Sequence, residues 1–166
     1  PPITWNEIRA RAMKFSHKWA GTTRERAEEQ SFWNDFFECF GVDRGIVASF
    51  QEPVEKIKGR YSYIDLFWPK TLLVEHKTAG MSFAKAKSQA FSYIRDLTNQ
   101  GRHEEAPRYV ILCDFKRFGM YDLEPSDRKQ SSPTYTEIPL ASLHEHVRDF
   151  AFMRGEKPLR LEPEQP

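Results

Sequence analysis

The segment from Phe32 to Phe40 constrains the fold most strongly, because apolar aromatic side chains recur there at helical spacing. They are Phe32, Trp33, Phe36, Phe37 and Phe40. Thr22 or Thr23 can cap this helix at its start, and Gly41 follows its last apolar residue. A helix with so wide an apolar face must bury it against another layer, and we expect a β-sheet to cover it.

Three further helices and five strands are predicted from the spacing of apolar residues along the rest of the chain. The helices run from Trp5 to Ala20, from about Ser82 to Asn99 and from Leu140 to Met153. The strands are Arg44 to Gln51, Tyr61 to Trp68, Thr71 to Lys77, Tyr109 to Cys113 and Phe118 to Leu123. Pro69 fixes a turn between the second and third strands, which therefore form a hairpin.

The segments between these elements complete the predicted organisation. We interpret the charged stretch from Glu52 to Arg60 as a surface loop and Glu124 to Pro133 as a polar excursion. The order of elements predicts an α/β fold with a mixed central β-sheet flanked by helices on both faces. We expect one domain over residues 1–154, followed by a proline-containing linker or tail over residues 155–166.

Composition excludes several classes of protein. The 166 residues are 39% hydrophobic and include 13 Phe, which is enough for one core and excludes disorder over most of the chain. A formal net charge of +1 excludes a strongly basic, histone-like binder. No apolar run approaches the roughly 20 residues that cross a bilayer, and we expect a cytoplasmic protein with no membrane partner. We interpret Cys39 and Cys113 as buried thiols.

The candidate chemistry lies on the predicted hairpin, where Asp65 precedes Glu75 and Lys77. Side chains two residues apart on a strand share a face, so Glu75 and Lys77 project together while His76 points away. Asp65, Glu75 and the backbone carbonyl of His76 offer the oxygen ligands that Mg²⁺ prefers. Lys77 would then orient a water and offset negative charge on a phosphodiester. The competing interpretation is an ordinary salt bridge between a Glu and a Lys on an exposed strand.

The neighbouring predicted helices carry candidate supporting residues. Glu28 and Glu29 precede the sheet, and either could complete or orient a metal shell. Gln89 and Tyr93, four residues apart, share a face of the following helix, where Gln89 could hydrogen-bond a phosphate or Lys77. Each also has a structural interpretation, since acids near a helix start favour the helix dipole and Tyr93 could be a core residue.

Three runs together carry a family resemblance: AEEQSFWNDFFECFG, then YIDLFWPKTLLVEHKTAG, then AKSQAFSYI. They resemble the PD-(D/E)XK nuclease superfamily, and more narrowly the N-terminal endonuclease domain of MmeI-like (type IIL) restriction-modification proteins. The resemblance extends from about Trp5 to Leu123. It implies a restriction-endonuclease-like fold, metal binding by Asp65 and Glu75, a catalytic lysine at Lys77, and supporting roles for Gln89 and for Glu28 or Glu29.

In that family the domain cleaves double-stranded DNA with Mg²⁺, and the same polypeptide carries methyltransferase and target-recognition domains. The present chain has no methyltransferase motif, so we expect either a fragment of a longer protein or a free-standing relative. The resemblance implies a site-specific deoxyribonuclease, with dimerisation for cleavage left open. Two alternatives are a catalytically inactive DNA-binding or assembly module that retains the nuclease fold, and a stand-alone repair nuclease.

Basic residues are distributed unevenly despite the balanced total. One group lies near the first two helices and comprises Arg9, Arg11, Lys14, Lys18, Arg24 and Arg26. A second group, at Lys56, Lys58 and Arg60, precedes the predicted strand that carries Asp65, and Lys85 and Lys87 follow the site. Such a group could contact phosphates without reading base sequence. The alternative is a solvated surface balanced by nearby acids.

Overall fold

A computed structural model describes residues 2–23, 25–123 and 133–155. It contains four helices, α1 (Trp5–Trp19), α2 (Glu25–Cys39), α3 (Arg44–Val47) and α4 (Phe83–Asn99). It also contains six strands, numbered in chain order: β1 (Ser49–Ile57), β2 (Arg60–Trp68), β3 (Leu72–His76), β4 (Tyr109–Cys113), β5 (Arg117–Asp122) and β6 (Thr134–Pro139). Helix α4 lies between β3 and β4. Three 3₁₀ segments lie at His103–Glu105, Leu140–Glu145 and Val147–Arg154.

The six strands form one mixed sheet in the order β1-β2-β3-β4-β5-β6. Strands β3 and β4 are parallel, and every other neighbouring pair is antiparallel. A parallel pair needs a crossover, and α4 supplies it between β3 and β4. The predicted α/β class and mixed central sheet are therefore confirmed.

Helices cover the sheet on both faces because the strands alternate between two apolar cores. On one face, α1 and the aromatic side chains of α2 pack on Leu72 and Val74 of β3. On the other face, α4 packs its small residues Ala86 and Ala90 against Leu73. Strand β3 is buried along its whole length. The prediction that a sheet covers the aromatic face of α2 is confirmed.

The hairpin between β2 and β3 closes with a tight turn at Pro69. Thr71 N donates to Trp68 O at 2.9 Å, and Lys70 adopts a left-handed φ of 70°. Proline at the second position and a positive φ at the third are the features of a type II turn. The predicted turn is therefore confirmed, and it sets the register of the two strands that carry Asp65 and Glu75.

Two predictions around β1 are wrong. Arg44–Val47 is a helical turn rather than the start of a strand, because Asp43 caps it by accepting from Gly45 N at 3.0 Å. The stretch from Glu52 to Arg60 is not a loop: β1 continues to Ile57 and pairs with β2. Val54 is fully buried and anchors this strand, while the charged side chains on either side of it hide the strand pattern.

The predicted final helix from Leu140 to Met153 is wrong as a single α-helix. The segment forms two 3₁₀ pieces, and Phe150 interrupts the second with φ −104° and ψ 28°. Four consecutive residues, Phe150 to Met153, are buried, and one stripe of a regular α-helix cannot bury four residues in succession.

Some sequence predictions fall at the limits of the described residues. Strand β6 was not predicted, and it pairs with β5 along six residues. The predicted polar excursion lies outside the described residues except for Pro133, and the predicted tail lies outside them except for Gly155. Within the described ranges, no helix is long and apolar enough to span a membrane.

Both cysteines are buried free thiols, as predicted. Burial raises the pKa of the Cys39 thiol to about 12 and holds that of Cys113 well above its usual value. Both side chains therefore remain neutral and pack as small apolar groups in the core on the α2 face.

We predict that Phe32→Ala destabilises the domain by about 3–5 kcal/mol, measured by urea unfolding. The Phe32 ring is fully buried and lies 4.9–5.9 Å, centroid to centroid, from six rings: Phe15, Trp19, Trp33, His76, Phe115 and Phe118. Met13→Ala is the matched control, since Met13 is 51% exposed and should change stability by less than about 0.5 kcal/mol. Equal effects of the two substitutions would contradict this account of the core.

Candidate active site

The register of β2 and β3 places Asp65 beside Glu75. Leu66 pairs with Val74 in the antiparallel ladder, so the next residue on each strand is Asp65 opposite Glu75. Asp65 Oδ2 accepts a hydrogen bond from His76 N at 2.7 Å, and Gln51 Nε2 lies 3.4 Å from Asp65 Oδ1. The backbone of β3 and the side chain of Gln51 thus orient the Asp65 carboxylate.

Glu75 is the most electrostatically unusual acid of the group. It is 4% exposed, and its Oε2 atom has no hydrogen-bond partner among the described residues. Burial raises the pKa of Glu75 to about 9, and the hydrogen bond and charge of Asp65 add to that effect, while Lys77 opposes it. A buried carboxyl that is unsatisfied on one oxygen and repelled by a second acid requires a proton or a cation.

Lys77 is held from two sides. Its backbone N donates to Cys113 O at 2.8 Å, which extends the parallel pairing of β3 and β4 by one residue. Its Nζ donates to Gln89 Oε1 on α4 and lies 3.8 Å from Glu75 Oε1. The Lys77 side chain is 20% exposed, so its ammonium group lies at the boundary between the buried acid and solvent. The structure therefore brings Asp65, Glu75, Lys77 and Gln89 into one cluster.

Tyr93 belongs to the same cluster, one helical turn after Gln89. Burial raises the pKa of Tyr93 above its usual value, and the charges of Glu75 and Asp65 raise it further. The hydroxyl therefore remains protonated next to the two acids and can donate to Glu75. The four-residue spacing from Gln89 was the sequence signal for this position, although a core role was left open. Gln51 had no such signal, because the start of its strand was misplaced.

The structure separates the two glutamates whose helical phase was ambiguous. The charge of Glu29 raises the pKa of Glu75, whereas the charge of Glu28 acts on Lys18, at the end of α1. Across residues 2–23, 25–123 and 133–155, no group of three His, Cys, Asp or Glu residues forms a metal-binding set. The roles of Glu28 and Glu29 at a metal shell therefore stay predictions, and the charge of Glu29 is the one that acts on Glu75.

His76 points away from the acids, as its position on the strand predicts. Trp33 Nε1 donates to His76 Nδ1 at 3.0 Å, and the His76 ring lies 4.3 Å from that of Phe115. The accepted hydrogen bond requires an unprotonated Nδ1, and burial lowers the pKa of His76 to about 3. The side chain thus belongs to the aromatic core, and only the backbone carbonyl of His76 stays a predicted ligand.

We predict that this buried neutral histidine makes a stabilising contribution that is lost in acid. The unfolded chain binds a proton at His76 below about pH 6.5, but the folded chain does so only near pH 3. The contribution of His76 to stability should therefore be complete above pH 6.5 and fall as the pH decreases toward 3, by on the order of 2 kcal/mol at pH 5. Glu75, whose pKa burial raises to about 9, changes stability in the opposite direction over the same range, so the contribution of His76 must be measured against a variant that lacks it. Urea unfolding across this range measures it.

The difference in unfolding free energy between wild type and His76→Gln should decrease by about 2 kcal/mol from pH 7 to pH 5, whatever the effect of the substitution on absolute stability. His17→Gln, at an exposed position of α1, is the matched control and should keep the wild-type profile. A wild-type and a His76→Gln profile of equal slope would exclude the assigned role of His76.

Comparisons with known proteins identify the family. No curated protein matches the sequence significantly. A solved structure similar to this chain, the "cryoEM structure DrdV-DNA complex", has a TM-score of 0.49 and 12% sequence identity. That match covers 93% of the present chain and 14% of the other chain. The family model described as "MmeI, N-terminal domain" matches residues 10–166, and the chain therefore belongs to the family of MmeI N-terminal domains.

Proposed function

We propose that the domain is a Mg²⁺-dependent DNA endonuclease of the PD-(D/E)XK type, acting as the cleavage module of a restriction-modification protein. The observation that carries this proposal is the Asp65–Glu75 carboxylate pair with Lys77 beside it. Family membership supports the restriction-modification context. The proposed substrate is double-stranded DNA, and the proposed reaction is hydrolysis of a phosphodiester bond.

The donor set fits Mg²⁺. The ion is bound in proteins by one or two carboxylates and keeps several waters, so Asp65 and Glu75 suffice without a third acid. The unsatisfied Glu75 Oε2 is an available oxygen ligand, since no described residue donates to it. A divalent cation held by these residues would favour ionised Glu75, whose pKa burial and Asp65 otherwise raise. When bound, Mg²⁺ supplies Lewis-acid polarisation of a phosphodiester and lowers the pKa of water.

The chain's own residues supply positioning and charge. Gln89 accepts from Lys77 Nζ and so holds the ammonium group next to the carboxylates. From there Lys77 can orient an attacking water and offset the negative charge that accumulates on the phosphate. Tyr93 and Gln51 orient the carboxyl groups from α4 and β1. In this scheme Lys77 is the catalytic residue, and Gln89 is a positioning residue.

The cost of burying the acids weighs against an inactive scaffold. Two facing carboxyl groups, one of them nearly inaccessible, destabilise the fold, because the ammonium group of Lys77 cannot neutralise both. A module that only binds DNA or assembles with other domains gains nothing from that arrangement. A nuclease does gain, because the same acids hold its metal ion.

We predict that Lys77→Ala abolishes Mg²⁺-dependent DNA cleavage by the complete protein and leaves the fold intact, as judged by circular dichroism. The reason is that no other described cation lies within salt-bridge distance of Glu75. Lys14→Ala, which removes an exposed lysine from α1, is the control and should cleave at the wild-type rate. Wild-type cleavage by the Lys77→Ala protein would contradict the assignment.

We also predict that Mg²⁺ stabilises the domain. At a free concentration ten times the dissociation constant, binding adds about 1.4 kcal/mol, which raises the melting temperature by about 3–5 °C. Glu75→Gln should lose this increase, because an amide is a weaker ligand than a carboxylate. Glu104→Gln, at an exposed position, should keep it. A Mg²⁺-induced increase of equal size in Glu75→Gln would exclude Glu75 as a ligand.

A further inference from the structure

The β1–β2 hairpin extends beyond the rest of the sheet. Strand β3 pairs with β2 only at Leu66–Trp68, whereas β1 pairs with β2 from Ser49 to Ile57. Residues 52–64 therefore form a two-stranded extension, which we call the β1–β2 ribbon. It begins next to Asp65.

One side of the ribbon is fixed to the end of α4. Val54 and Ile64 are fully buried in the core that contains Leu97. The segment after α4 adds polar contacts: Gln100 Oε1 accepts from Glu55 N at 2.9 Å, and Arg102 Nη1 donates to Pro53 O at 3.1 Å. Backbone and side chains of the ribbon are thus held in place, which an isolated two-stranded hairpin would not be.

The opposite side carries exposed apolar and aromatic groups. Tyr61 and Tyr63 are 53% and 52% exposed, and Ile57, at the tip, is 64% exposed. Side chains alternate along a strand, so both tyrosines point away from the buried Ile64. Their hydroxyl groups have no hydrogen-bond partner within the part of the chain that the structure describes.

The tip carries unpaired positive charge. Lys56, Lys58 and Arg60 are exposed, and none makes an ion pair with a described residue. Of the two ribbon acids, Glu52 pairs with Arg102 Nη2 at 3.1 Å, and Glu55 Oε2 accepts from Gly59 N at 3.2 Å. Of the two acids, only Glu55 has no ionic partner among the described residues, and its carboxylate accepts from the backbone of the turn at Gly59. The three cations of the tip are thus not neutralised by acids of the ribbon.

We propose that the β1–β2 ribbon binds the phosphate backbone of duplex DNA next to the bond that is cleaved, an inference that rests on the proposed function. Lysine, arginine and tyrosine side chains are common phosphate ligands, and the ribbon presents all three types on its exposed side and tip. Arg60 is five residues from Asp65 along β2, a distance of about 17 Å at 3.3 Å per residue. A phosphate bound at the tip would therefore lie about 17 Å from the carboxylates, which equals the axial rise of about five nucleotides in a duplex.

The test measures duplex binding by this chain in EDTA, where no metal is bound and no cleavage occurs. Fluorescence anisotropy with a labelled 30-base-pair duplex of arbitrary sequence is recorded between about 20 and 200 mM KCl. Each phosphate contact contributes about 0.9 to the slope of log K against log salt, so Lys56→Gln/Lys58→Gln/Arg60→Gln should reduce the slope by up to about 2.7. Affinity at low salt should fall at least about tenfold.

The matched control is Arg9→Gln/Lys14→Gln/Arg95→Gln, which removes three exposed cations of α1 and α4 without ion pairs to described residues. It should stay within about twofold of wild type in affinity. Tyr61→Phe/Tyr63→Phe tests the uncharged donors: affinity should fall while the slope is unchanged, because a neutral donor releases no counterion.

Three results would overturn the proposal: no salt-dependent binding by the wild-type chain, an unchanged slope in the ribbon variant, or equal losses in the ribbon and control variants. An unchanged slope would show that the three cations of the tip make no phosphate contacts. Glu75→Gln separates this proposal from the proposed function, because in EDTA it should bind duplex at least as tightly as wild type. Failure of Mg²⁺ binding with intact ribbon-dependent DNA binding would reject only the nuclease.

Discussion

The burial of β3 on both faces is the constraint on which the rest of the structure depends. A strand in this position has no solvated side, so each polar group on it must find its partner inside the protein. On the aromatic face, His76 Nδ1 accepts from Trp33, while His76 Nε2 has no partner among the described residues. Glu75, on the other face, faces Asp65 and Lys77, and one of its oxygens is left unsatisfied by the described residues. The candidate chemistry is concentrated at this point because the Glu75 carboxyl is buried and can interact only with the neighbouring side chains.

The two faces of β3 therefore serve different purposes. The aromatic side chains of α2 and the neighbouring turn at Phe115 form a dense layer that fixes the strand in the molecule. Helix α4 forms a thinner layer, with alanines where it crosses the strand, and this allows Gln89 and Tyr93 to approach the acids. Dense packing on the α2 face thus fixes β3, and the fixed strand positions Glu75 and Lys77 on the α4 face.

Periodicity predicted the parts of the fold that bury a clear apolar face. Helices α1, α2 and α4, the turn at Pro69 and strands β2 to β5 follow from it, and so does the projection of Glu75 and Lys77 to one side. Periodicity failed where buried side chains lie among charged residues or do not recur at a regular spacing. Strand β1 is anchored by Val54 among charged residues, and the segment from Phe150 to Met153 buries successive side chains that no single period describes.

The residues of the candidate site could be predicted where they depend on local spacing, and could not be predicted where they depend on long-range packing. The alternation of β3 and the spacing from Gln89 to Tyr93 are local, and both survive in the structure. The contribution of Gln51 depends on how β1 pairs with β2, which is a long-range property. The choice between Glu28 and Glu29 depends on the rotation of α2 about its own axis, and a local spacing does not determine that rotation.

The attachment of the ribbon to the end of α4 has a mechanical consequence. Gln100 and Arg102, just beyond α4, bind the ribbon, and Gln89, which binds Lys77, lies eleven residues before Gln100. At 1.5 Å per residue this distance is about 16 Å of continuous helix, which transmits a displacement along its axis. A load applied to the ribbon must therefore either break these hydrogen bonds or displace the helix that holds Lys77. Through α4, a displacement of the β1–β2 ribbon is therefore transmitted to Lys77.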